Sequence, residues 1–233
     1  MTAPGQEEAV AWVREGLFAR ADEGYRAFNS SLIPAVSPER VIGVRMPALR
    51  SFAEEVASSG RAGAYLASLP HRYLEEDHLH GLLLNRERDC TQAVRLLDAF
   101  LPHVDNWQTC DLLKPSAFEA LPEGLLDRAY TWMGSGRVYT VRFGVSVLMN
   151  FYLDGDFSTE QLDAAASLGD GDYYVEMEVA WYFATALAKR WDETLPYLEE
   201  GRLAPTTRAR TIRKACESFR IPAERKDELR AMR

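Results

Sequence analysis

Apolar residues return every three or four positions in one segment after another, and this spacing restricts the chain to helices. In 9–18 (AVAWVREGLF) Val10, Val13, Leu17 and Phe18 share one side of a helix. In 47–57 (PALRSFAEEVA) the stripe is Leu49, Phe52, Ala53 and Val56, and Pro47 stands in a first turn, where its missing N–H costs nothing. The same rhythm predicts helices over 73–86, 90–103, 124–134, 138–153, 158–168, 173–190, 191–200 and 206–219. Short breaks such as SPER, LPHR, KPS, GSGR, DGDFS and GDGD separate them. Ser158 followed by Gln161 has the form of a capping box. No alternating stretch is bounded by hairpin turns, so strands are not expected.

About a dozen helices joined by short loops pack as antiparallel neighbours. Pairs of them recur every ~35–45 residues, the period of HEAT-type α-solenoids. The expectation is therefore an all-α chain, a single HEAT-like-repeat domain over 1–233, with one helix of each pair lining a concave face. An irregular helical bundle is the alternative, because the repeat rests on rhythm and not on self-similarity.

Composition narrows the setting. The chain has 233 residues, 47% hydrophobic and 27% charged, which suits a folded soluble protein. Three widely spaced cysteines (Cys90, Cys110, Cys216) suggest neither a disulfide framework nor a metal knuckle. The opening MTAPGQEEAVAWVREG lacks an apolar signal core, and no uncharged stretch approaches the ~20 residues of a membrane span. A cytoplasmic, non-membrane protein is expected. The net charge of −8 taken alone argues against nucleic acid. It is unevenly spread, however: from Thr207 onward nine Lys/Arg face four acids, so the tail is +5 and the rest of the chain −13. Such a run is either a solvated helix face or a contact for a polyanion.

Walker, dinucleotide, zinc-helix and serine-elbow motifs are all absent from the sequence. His71, His78, His80 and His103 do not form a ligand set; His78 and His80, two apart, point to different faces of a helix, so neither a metal nor another cofactor is expected. Glu75 and Glu76 suit the N-terminus of their helix. Trp107 and Asp111 stand out, because in DNWQTCD (105–111) they lie one turn apart on one helix face. Arg142, near the start of the apolar RFGVSVLMNFYL, reads as a snorkelling residue or a fixed anion ligand. Trp181 lies in YYVEMEVAWYFATAL, apolar nearly all round and thus a central helix. For each tryptophan a place in the core competes with a place in a site.

The ordered set IGVRMPALR (42–50), YLEEDHLHGLLL (73–84), DNWQTCD (105–111), RFGVSVLMNFYL (142–153), YYVEMEVAWYFATAL (173–187) and KACESFRIP (214–222) resembles the AlkD-like DNA alkylation repair family. Members are HEAT-like-repeat proteins, some of which are DNA glycosylases that release cationic alkylated purines. The resemblance runs from about residue 20 to 222. It implies Asp111 as the catalytic carboxylate, Trp107 and Trp181 as indoles against the DNA, Arg142 as a phosphate ligand and duplex DNA as partner. An N3- or N7-alkylpurine is already a good leaving group. A carboxylate then need only stabilise the oxocarbenium-like sugar and orient water, with no metal or cofactor.

The chain also departs from that pattern. Active members carry a basic residue three positions after the second tryptophan, where this chain has Ala184. Glu176 and Glu178 would repel phosphates if they faced DNA, and an N-terminal DNA-contacting aromatic corresponds to Phe28. The expectation is an N-glycosylase for N3-/N7-alkylpurines, acting as a monomer on alkylated or structured duplex DNA. A DNA-binding relative without glycosylase activity and an α-solenoid scaffold for a protein partner are the alternatives.

Overall fold

The computed structural model describes residues 4–169 and 171–232, and among them every regular element is helical. The chain divides into two compact units, Met1–Ala120 and Leu121–Arg233. The first holds α1 (Pro4–Phe18), α2 (Glu23–Leu32), α3 (Met46–Ser58), α4 (Ala62–Leu66), α5 (Leu74–Leu84), α6 (Cys90–Phe100) and α7 (Trp107–Leu112). The second holds α8 (Leu125–Met133), α9 (Val138–Val147), α10 (Thr159–Ala166), α11 (Tyr173–Lys189), α12 (Trp191–Glu199), α13 (Pro205–Glu217) and α14 (Ala223–Ala231). Each segment predicted from periodicity corresponds to one of these helices, with ends shifted by a few residues.

Local chemistry explains the starts. Asp22, Asp89, Asn106 and Asp172 each accept a backbone N–H from the first turn that follows, at 2.7–2.9 Å. Such caps are worth about 1 kcal/mol each. Pro47 and Pro205 open α3 and α13. At α10 the expected capping box is only half formed. Ser158 accepts the Glu160 N–H at 3.2 Å, but the Gln161 amide donates to the Asp156 carbonyl at 2.7 Å instead of returning to the cap. Two predicted helices end early: 101–103 tightens into a 3-10 turn, and Leu148–Tyr152 continues α9 as a π-helical turn.

Within each unit alternate helices stack: α3 on α5 on α7 in the first, α9 on α11 on α13 in the second. This i to i+2 layering is the packing that repeated helix pairs produce. In unit 1 Val13, Leu17, Leu49, Phe52, Val56 and Leu79 close the core. In unit 2 Phe143, Val145, Leu148, Val179, Phe183, Leu187 and Ile212 are buried. Each large apolar side chain contributes about 1.5–3 kcal/mol. Gly144 brings α9 close to α8, since a Cβ there would lie 2.8 Å from the Ala129 carbonyl oxygen and 2.7 Å from Met133 Cγ.

Candidate functional site

The first turn of α5 carries Glu75, Glu76 and Asp77, all buried. Their position suits the helix dipole, as the sequence suggests, but their burial requires more specific partners. Glu75 accepts the backbone N–H groups of Ile42, Gly43 and Val44 at 2.9, 2.7 and 3.2 Å. Gly43 is required here: its φ is +94°, and a Cβ would lie 2.6 Å from the Asp22 carbonyl oxygen. Glu76 takes the Arg72 and Tyr73 N–H groups at 2.9 and 3.0 Å and the Arg14 guanidinium at 3.0 Å. Burial pushes the Asp77 carboxyl well above the usual range, and Arg40, 3.4 Å away, pulls it back.

This platform holds α7. Arg40 reaches from Asp77 to Asp105 and donates to the Arg72 carbonyl at 3.2 Å, tying the entry of α7 to α5. Asn106 caps the helix through the Thr109 N–H at 2.9 Å. At the other end the Asn85 amide donates to the Leu112 carbonyl at 2.7 Å, and its oxygen accepts the Lys114 N–H at 2.6 Å. A six-residue helix is marginal alone, so these clamps set its direction. Trp107 is half-buried; it packs against Ile33, Val36, Val41 and Leu74, and its indole N–H donates to the Leu32 carbonyl at 3.3 Å. Asp111, one turn on, is half-buried too. DNWQTCD therefore gives its tryptophan both a packed side and an open one.

Unit 2 treats its charges differently. Arg142 is 5% exposed, its guanidinium 2.9 Å from Glu178 and donating to the Tyr174 carbonyl at 2.7 Å. It is not a snorkelling residue, and the anion it holds is internal. Arg210 of α13 binds Glu176 in the same manner and lies 4.9 Å over the Tyr173 ring. Both acids that threatened to repel phosphate are thus matched by arginines. Trp181, on a helix otherwise largely buried, is 42% exposed, and the Lys214 ammonium sits 5.8 Å above its ring. Burial lowers the Lys214 pKa, with a further push from Arg142, while Glu178 raises it. Ala184 is buried.

With these positions in hand, comparison with protein families decides the class. The family model described as DNA alkylation repair enzyme matches residues 13–219. The chain belongs to the DNA alkylation repair enzyme family. A search of curated proteins returns no significant match. Membership gives this DNA alkylation repair protein a role in alkylation repair, with DNA as its partner. Among the described residues, no helix is long and apolar enough to cross a membrane.

Within this family member the sequence reading misses Arg210, Lys214 and Tyr173. The two cations belong to the basic tail: α13 packs on α11 and directs Arg210 and Lys214 at α11 side chains. Their spacing of four on one helix, opposite tyrosine and tryptophan on another, was the available signal. Elsewhere, His71 Nε2 and His80 Nδ1 lie 2.9 Å apart between the rings of Tyr65 and Phe100. Burial lowers His71 and His78 to about 4, so both are neutral in the fold.

Proposed function

We propose that this protein is an N-glycosylase that releases cationic N3- or N7-alkylated purines from duplex DNA, with Asp111 as the catalytic carboxylate. The observation that supports this most is the clamping of α7 at both ends, by Asn106 and Arg40 on one side and Asn85 on the other. Electrostatic catalysis depends on a charge whose position is fixed before the reaction, and clamps on the short helix that carries Asp111 support that role for it. The C1′–N bond breaks and its electron pair neutralises the base, leaving positive charge on the sugar. Asp111 stabilises that charge and orients water, which adds to C1′ and gives up a proton. The open side of Trp107, one turn from Asp111, meets the cationic nucleotide by a cation–π contact, and the exposed Trp181 ring stacks on DNA, about 0.5–2 kcal/mol each. Arg142 organises the Trp181 surface from beneath through Glu178 and the Tyr174 carbonyl. No metal or other cofactor takes part, and the protein works as a monomer in the cytoplasm.

The test is release of base from duplex DNA bearing N7-methylguanine under enzyme excess. Wild type should release it, and Asp111→Asn should lower the rate about 10²-fold or more, the effect of removing one preorganised electrostatic group. No release by wild type refutes the enzyme reading. It favours the second one, a DNA-binding repair protein without excision, which the engagement of Arg142 by Glu178 supports.

A further inference from the structure

We propose that Lys214, and not Arg142, is the cation through which unit 2 holds a DNA phosphate, with Arg142 acting as a positioning residue. The inference rests on the reading that Trp181 faces DNA. An arginine that binds phosphate must present its donors to solvent, whereas Arg142 is 5% exposed and spends them on Glu178 and the Tyr174 carbonyl. Turning it outward would strand Glu178, which is fully buried. The second arginine nearby, Arg210, is matched by Glu176. The two arginines and two glutamates therefore cancel, and the remaining charge of this surface is carried by α13.

Lys214 has the properties a phosphate ligand needs. It is half-buried, so its stem is packed and its ammonium is placed over the exposed Trp181 ring. At 5.8 Å the cation–π contact is at the outer edge of its range, so a phosphate oxygen can draw the ammonium away at small cost. Partial desolvation, visible in its lowered pKa, strengthens its attraction for an incoming anion. Lysine serves as a point charge with three rotatable donors and does not require the planar fork of arginine. Ala184 gives α11 no cation one turn after its tryptophan, Lys189 at the end of the helix is paired with Asp154, and α13 supplies a cation from across the helix packing. A phosphate on Lys214 would bring the adjacent sugar or base against the Trp181 face.

The test is the affinity for an undamaged duplex, by fluorescence anisotropy, as a function of KCl concentration. Lys214→Met should raise Kd about tenfold at low salt and lower the slope of log K against log [salt] by about one, the loss of a single phosphate contact. Lys214→Arg should retain the slope. Arg142→Met combined with Glu178→Met, which preserves the local charge balance, should also retain it. An unchanged slope in Lys214→Met, or a loss of about one in the paired variant, overturns the proposal. If the paired variant does not fold, Lys214→Met against Lys214→Arg decides alone. Wild-type binding that is absent or flat with salt defeats the DNA reading itself, an outcome separate from the assignment of Lys214.

Discussion

The two units differ in how far they rely on backbone N–H groups to hold buried carboxylates, although Asp77 of unit 1 also has an arginine, Arg40, beside it. In unit 1 Glu75 is satisfied by three backbone N–H groups, and Glu76 by two such groups and one arginine. In unit 2 Glu178 and Glu176 are met by the guanidinium groups of Arg142 and Arg210. Amide dipoles give a carboxylate partners without using mobile charge, and they fix the chain segment that provides them. Arginine partners cancel the charge outright. The first arrangement builds rigid loops around α7, where Asp111 lies. The second decides which cations of a basic helix remain for an external anion. Position is thus the product of unit 1, and selection of charge the product of unit 2.

The largest effect should come from breaking each arrangement on one side. Arg142→Met alone leaves Glu178 buried beside no guanidinium and should cost about 3–5 kcal/mol, most of it recovered on adding Glu178→Met. Glu75→Gln has no such rescue by a single partner. It leaves one accepting oxygen and sets an amide NH2 against at least one of the three backbone donors, and should cost about 2–3 kcal/mol. Urea unfolding of the three variants measures both. A loss in Arg142→Met that persists in the paired variant would show that Arg142 matters to unit 2 by more than cancelling charge.

A smaller effect belongs to the histidines of unit 1. His71 and His78 are held near 4, below their ordinary value of 6.5, so the fold binds fewer protons than the unfolded chain between these limits. Their contribution is complete above about pH 6.5 and is lost as pH falls toward 4. Together they should remove on the order of a few kcal/mol of stability. Asp77, with its carboxyl pushed up by burial, opposes this trend. The check is the urea midpoint from pH 7.5 down to 4.5, with His78→Leu expected to flatten the profile.

Much of the helical plan was legible because its stripes are apolar and periodic. The exceptions have a physical cause. Helix α2 buries a polar residue, Asn29, while Phe28 and Leu32 face outward, so its pattern runs against the usual sense. Helix α14 buries only Leu229. At the site, the spacing of Trp107 and Asp111 could be read directly, since one short helix carries both. The engagement of Arg142 with Glu178 could not, because it joins side chains 36 positions apart on different helices. Lys214 was hidden for the same reason: a basic run does not say which of its members meets an aromatic ring on a neighbouring helix.

The division of labour between the units is tested most directly by single-turnover release of N7-methylguanine, followed as enzyme concentration rises to saturation. The account predicts that Asp111→Asn lowers the saturating rate about 10²-fold with little change in half-saturation. Lys214→Met should do the reverse, raising half-saturation about tenfold while the saturating rate stays near that of wild type. A Lys214→Met variant that lowers the saturating rate as Asp111→Asn does, or an Asp111→Asn variant altered only in half-saturation, would contradict it.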